Sequence, residues 1–139
     1  MPPGQRDPTD PHEWLRRARS NLRRAQARDV LPDVLLEDLC FDAQQAAEKA
    51  LKALLVGRGI HFPKTHDLVD LLTLYQQHGG EVPDDIQQAG ILTGYAVESR
   101  YPGLSEDVST DEYQRAVVLA QRVVRWAEAL LSAPKEREE

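Results

Sequence analysis

Between Val34 and Val56 the chain sets Leu36, Leu39, Cys40, Ala43, Ala46, Ala47, Ala50, Leu51, Leu54 and Leu55 in one continuous pattern. Intervals of three and four residues bring these positions onto the same side of a helix, and the resulting stripe is broad. Its many alanines allow neighbouring backbones to approach closely. This segment is therefore predicted to be the central helix of a bundle, and the rest of the chain has to pack around it.

The remaining pattern fits that role. No stretch keeps the apolar and polar alternation of a half-buried strand, so the expected fold class is all-α. Asp10 reads as an N-cap, with Pro11 at the first helical position and Glu13 three residues after the cap. The first helix is expected to run to about Arg28, with Leu15, Ala18, Leu22 and Ala25 facing inward. Gly57 stands where the C-terminal cap of the second helix belongs, followed by a connection from Arg58 to Lys64. Thr65 is the expected cap of a short third helix carrying Leu68, Leu71, Leu72 and Tyr75, ended by Gly79 and Gly80. A fourth helix follows Pro83 with Ile86, Ala89, Leu92 and Ala96, and stops near Arg100 or Tyr101 because Pro102 disfavours helical geometry before it. Ser109 and Glu112 form a capping-box pattern for a last helix that Pro134 closes. The expected architecture is an up-and-down antiparallel bundle of four to five helices over residues 11–133. A flexible lead (residues 1–10) precedes it and a charged tail (residues 134–139) follows.

Composition excludes several classes of function. The 139 residues are 41% hydrophobic, enough for one ordinary core. The single cysteine, Cys40, excludes a disulfide within the chain and a multi-thiolate zinc site; it reads as a small buried thiol. His12, His61, His66 and His78 include no pair spaced four apart, and no Glu-x-x-His occurs, so neither a metal nor any other cofactor is expected. Gly-rich phosphate and dinucleotide loops are absent from the sequence. The longest apolar run, Ala116 to Ala120, is far shorter than the ~20 residues of a membrane-spanning helix. With no apolar signal region at the start, the expected location is cytoplasmic, away from membrane. The net charge of −6 is uneven: residues 1–28 set seven arginines against three acids, so the excess of acids lies in the remainder. A general nucleic-acid binder is thereby disfavoured, while a local arginine surface stays open.

Three segments could carry chemistry. The stretch Phe62-Pro63-Lys64-Thr65-His66-Asp67-Leu68 is a stiffened loop entering a helix, with a cation before the cap and an imidazole after it. Backbone N–H groups at a helix start favour anions and Lys64 reinforces that field; alternatively Thr65 merely caps the helix and Asp67 supports its dipole. In Glu98-Ser99-Arg100-Tyr101-Pro102, Arg100 either complements the negative end of a helix while Tyr101 packs on the bundle rim, or clamps a phosphodiester in fork geometry. The outer face of the first helix carries Arg16, Arg17, Arg19, Arg23, Arg24 and Arg28 with no acid among them. It is a solvated surface, or a docking face for an acidic partner or RNA in which Arg16, Arg19 and Arg23 take part.

These pieces in this order resemble the HEPN family (higher eukaryotes and prokaryotes nucleotide-binding domain), in its branch of small stand-alone prokaryotic proteins. The resemblance rests on Trp14-Leu15 with Ala18, on the run from Ala43 to Leu55, on Lys64-Thr65-His66-Asp67-Leu68 with Leu71-Leu72, and on Tyr95 followed by Ser99-Arg100-Tyr101-Pro102. It covers about residues 12–131. The resemblance implies an all-α bundle, a homodimer, and a minimal nucleotidyltransferase as partner in a toxin–antitoxin-like module. Many members are metal-independent ribonucleases that use an Arg followed a few residues later by His. Arg100 matches that arginine, while Ser105, Glu106 and Asp107 occupy the places where the histidine would fall. The expected function is therefore that of a binding component. Arg100 and Tyr101 would form one edge of a nucleotide or RNA phosphate site, and Lys64, Thr65 and His66 the other. The alternatives are an endoribonuclease pairing Arg100 with the His66 imidazole, and a purely structural dimerisation module.

Overall fold

A computed structural model describes residues 7–96 and 107–132. All regular structure among the described residues is helical. The elements are α1 (Pro11–Ala25), a 3-10 turn (Arg28–Val30), α2 (Leu36–Gly57), α3 (Leu68–Gln77), α4 (Asp84–Gln87) running directly into a 3-10 segment (Gln88–Tyr95), and α5 (Thr110–Ser132). The expected helix end near Arg100 or Tyr101 and the closing Pro134 lie outside the described residues, as do residues 1–6 of the lead and the tail.

The predicted central helix is central. Leu39, Cys40, Ala43, Ala46, Ala47, Ala50, Leu51, Leu54 and Leu55 are all buried, and α2 packs against α1, α3, α5 and the 3-10 segment. At one end of the bundle Gly57 meets Leu131 and Pro11, where an added methyl would collide with the Leu131 side chain. At the other end the Tyr113 hydroxyl donates to the carbonyl of Ala25. Thus α1 runs antiparallel to both α2 and α5, and those two run the same way. The non-helical stretch 58–67 makes this possible by returning along α2 before α3 begins.

Helix ends show where local chemistry departs from expectation. Asp10 caps α1 through a bond from the His12 N–H at 2.9 Å. The tether continues upstream, because Trp14 Nε1 donates to the carbonyl of Pro8 at 2.9 Å. α1 stops at Ala25, and the turn Arg28–Val30 replaces its expected last residues. Gly57 is not the terminal cap of α2. The left-handed residue is Gly59, at φ +72°, which lets Ile60 N–H reach the Leu55 carbonyl (2.9 Å) and Gly59 N–H the Val56 carbonyl (3.0 Å). Gly57 is needed instead for contact with α5. The same closure ends α3 at Gly79 and Gly80, both bonded back to the last turn at 3.0 Å. Asp67, not Thr65, caps α3, accepting from Val69 N–H at 2.9 Å, because Thr65 sits two residues too early and accepts from Asp67 N–H instead.

The fourth element is a single α-helical turn followed by 3-10 geometry, not a long α-helix. Ile86, Ala89 and Leu92 are buried and Tyr95 packs partly against them. Strict three-residue spacing forms one file only at three residues per turn. The capping box at α5 forms in full: Ser109 N–H donates to Glu112 Oε1 at 3.0 Å, and Glu112 N–H to Ser109 Oγ at 3.1 Å. Ser109→Ala is expected to destabilise the protein by about 1 kcal/mol, measurable as a lower urea midpoint at unchanged slope.

Candidate anion-binding site

One side of α2 interrupts its apolar surface with Gln44, Glu48 and Lys52, one helical turn apart, and all three are buried. Burying charge at such positions is costly unless every polar atom finds a partner. Here they do. Glu48 Oε2 accepts from Lys52 Nζ at 2.8 Å. Glu48 Oε1 accepts from Gln44 Nε2 at 3.0 Å and from His66 Nδ1 at 3.0 Å. Gln44 Nε2 also reaches the His66 carbonyl at 3.1 Å, tying the loop backbone to the helix. Lys52 Nζ lies 5.8 Å from the Trp14 ring centroid and 5.6 Å from that of Phe62, within cation–π range of both. The rings themselves meet edge to face at 6.2 Å.

Burial pushes the Glu48 carboxyl upward, but the bonds from Lys52, Gln44 and His66 outweigh it and hold the group below the usual carboxylate range. An ionised carboxylate only accepts, so His66 Nδ1 must carry the proton it shares with Glu48. In the neutral imidazole, Nε2 then keeps its lone pair. The His66 side chain is 68% exposed. The result is a surface imidazole whose tautomer is set from the core.

The structure brings His66 and Glu48 together and separates the other loop residues by role. Lys64 is exposed and has no ion-pair partner among the described residues. Thr65 Oγ1 accepts from Asp67 N–H and lies 3.5 Å from Asp70 Oδ2. The first N–H groups of α3 are also occupied: Leu68 donates to Thr93 Oγ1 at 3.0 Å and Val69 to Asp67. Anion binding by bare backbone at this helix start is therefore blocked within the chain, leaving outward the Lys64 ammonium and the Nε2 edge of His66, which donates only when it too carries a proton. Arg100 and Tyr101 lie outside the described residues, as do Ser105 and Glu106.

The arginine face of α1 is partly neutralised. Arg16 and Arg17 pair with Glu13 at 3.0 and 2.7 Å, Arg19 pairs with Glu128, and Arg24 lies 3.4 Å from Asp42. Arg28 stands over the Tyr113 ring at 5.9 Å. Asp42 belongs to a second buried network, accepting from Asn21 Nδ2 at 3.1 Å while Lys49 Nζ donates to Asn21 Oδ1 at 2.8 Å. Burial raises the Asp42 carboxyl despite Asn21 and Arg24, and burial lowers the Lys49 ammonium.

Sequence reasoning points to His66 but passes over Gln44, Glu48 and Lys52. The available signal is three polar residues at four-residue spacing on a helix otherwise predicted to be buried. Among the described residues no cluster of three or more His, Cys, Asp or Glu could hold a metal ion, and no helix is long and apolar enough to cross a membrane.

No curated protein matches the chain. Two solved structures are similar over nearly their whole length. TT1696 from Thermus thermophilus is 35% identical with a TM-score of 0.72, covering 86% of this chain and 96% of its own. ST0689, described as an archaeal HEPN homologue, is 25% identical with a TM-score of 0.69, covering 88% and 98% respectively. A family profile described as the HEPN domain matches residues 11–130, the span of the bundle just described. The chain belongs to the HEPN domain family.

Proposed function

We propose that this HEPN protein acts by binding: a homodimer that engages a minimal nucleotidyltransferase and holds a nucleotide or RNA phosphate. In this reading His66 and Lys64 form one edge of the phosphate site, with Thr65 shaping the loop between them, and Arg100 with Tyr101 forms the other. The arginine face of α1, with Arg16, Arg19 and Arg23, meets the partner protein. The observation that carries the reading is the Glu48–His66 contact at 3.0 Å. The buried Glu48 carboxylate orients the imidazole while Gln44 holds the loop backbone; beside an exposed lysine, that imidazole with a proton also on Nε2 is suited to a phosphate. His66→Ala and Lys64→Ala are each expected to weaken nucleotide binding about tenfold or more, as loss of a hydrogen bond to a charged group does. Calorimetric titration with nucleoside triphosphate measures this, and unchanged affinity in both variants removes the loop from the site.

The Nδ1-protonated tautomer also favours a second reading, an endoribonuclease in which the outward Nε2 of His66 acts as acid or base opposite Arg100. RNA incubated with the protein and a chelator distinguishes the two. Under the binding reading the RNA stays intact with wild type and with Arg100→Ala alike. Cleavage that is lost in both Arg100→Ala and His66→Ala establishes the nuclease.

A further inference from the structure

The described arginines divide sharply. Arg16, Arg17, Arg19 and Arg24 have carboxylate partners, Arg28 has an aromatic ring, and Arg58 has the Leu130 carbonyl. Arg23 aside, those with no partner among the described residues are Arg115, Arg122 and Arg125, all exposed and all on α5. At 100° per residue they fall within an arc of about 80° and extend along about 15 Å of helix. No acid interrupts α5 between Glu112 and Glu128. Beside this stripe lies a cleft of ≈ 440 Å³, lined among others by Gln88, Gln114, Arg115, Val118 and Arg122, with Asp111 at its amino end. A chain with a net charge of −6 thus keeps three guanidinium groups with no partner among the described residues in one row, Arg115 and Arg122 on the groove wall and Arg125 about one turn beyond them.

We propose that this groove on α5 is the track for the phosphodiester backbone of a single RNA strand. The proposal rests on the phosphate-binding reading above and adds a second surface to it. Guanidinium forks bond two phosphate oxygens at once, and the row follows the helix axis as a strand would. Gln88 and Gln114 can each donate and accept toward sugar hydroxyls or base edges.

The test uses a fluorescein-labelled oligouridine and anisotropy over a series of salt concentrations. Removing three phosphate contacts from a single-strand complex is expected to reduce the slope of log K against log salt by about 2. The triple variant Arg115→Gln/Arg122→Gln/Arg125→Gln should show that reduction together with at least a tenfold loss of affinity at low salt. Each single variant should lower the slope by about 0.7, so the result does not depend on the triple variant alone. Arg58→Gln, remote from the groove, should leave the slope unchanged, and thermal melts should coincide because none of the three arginines has a partner to lose among the described residues. Wild-type slope and affinity in the triple variant would overturn the α5 track while the nucleotide site at His66 stands. A wild-type protein that binds nucleotide but no RNA also overturns the track alone. One that binds neither overturns both.

Discussion

Glu48→Gln is expected to cost about 3–5 kcal/mol of folding stability, because it leaves the buried Lys52 ammonium without its counter-charge. For a domain of this size that lowers the melting temperature by roughly 10 °C or more. Glu48→Gln/Lys52→Met should recover most of the loss, since it removes the stranded charge as well, and urea unfolding of the three proteins measures both. The same pair gives stability a pH dependence of defined sign. The folded-state pKa of Glu48 lies below its ordinary value. Its contribution is therefore complete above the unfolded value of about 4.3 and disappears as pH falls from there through the lower folded value. Asp42 acts in the opposite sense: burial raises its pKa, so ionising it costs stability and protonation restores some. Both enter the acid limb of the wild-type protein, as do the Asp7 and Glu13 carboxyls, which Thr9 and the Arg16 and Arg17 guanidinium groups hold low, and the Glu48→Gln variant should lose only the part that Glu48 contributes. An acid limb unchanged by Glu48→Gln would show that the carboxylate is not held in this way.

Leu92→Ala should be nearly as damaging, at about 2–5 kcal/mol, because Leu92 is completely buried where the 3-10 segment meets the core. Its effect extends beyond stability. The neighbouring Thr93 Oγ1 accepts the Leu68 N–H at 3.0 Å and so anchors the start of α3, two residues from His66. The variant is expected to speed amide exchange at Leu68 more than at Leu54 or Val123, which lie in the three-helix core. Equal acceleration at all three would mean that the segment and the core open as one unit.

What the sequence reveals follows from where the information resides. The broad stripe of α2, the Asp10 cap and the Ser109–Glu112 box are local patterns, and each appears in the fold as read. Gly57 reads as a cap because a cap glycine and a contact glycine look alike until α5 is in place; only Leu131 tells them apart. Thr65 and Asp67 are both competent caps two positions apart, and local propensity does not choose between them. The fourth element is open to the wrong period, since Ile86, Ala89 and Leu92 fit a helical face at three or at 3.6 residues per turn over so short a span. The site is half legible. His66 sits in a conspicuous loop, whereas Glu48 looks like an ordinary charged residue of a helix until the loop folds back onto it. The partners of the α1 arginines likewise come from distant parts of the chain, such as Glu128 and Asp42.

The pitch of the 3-10 segment also sets where the chain emerges beyond Tyr95. Recoiling Gln88–Tyr95 as α-helix would draw it in by about 4 Å, at 1.5 instead of 2.0 Å per residue. It would also swing Leu92 by about 80–100° relative to Ile86, taking it out of the apolar file. The oily contacts beneath therefore act as a gauge on length: they forbid the tighter coil and fix the position of Ala96 at the end of the segment.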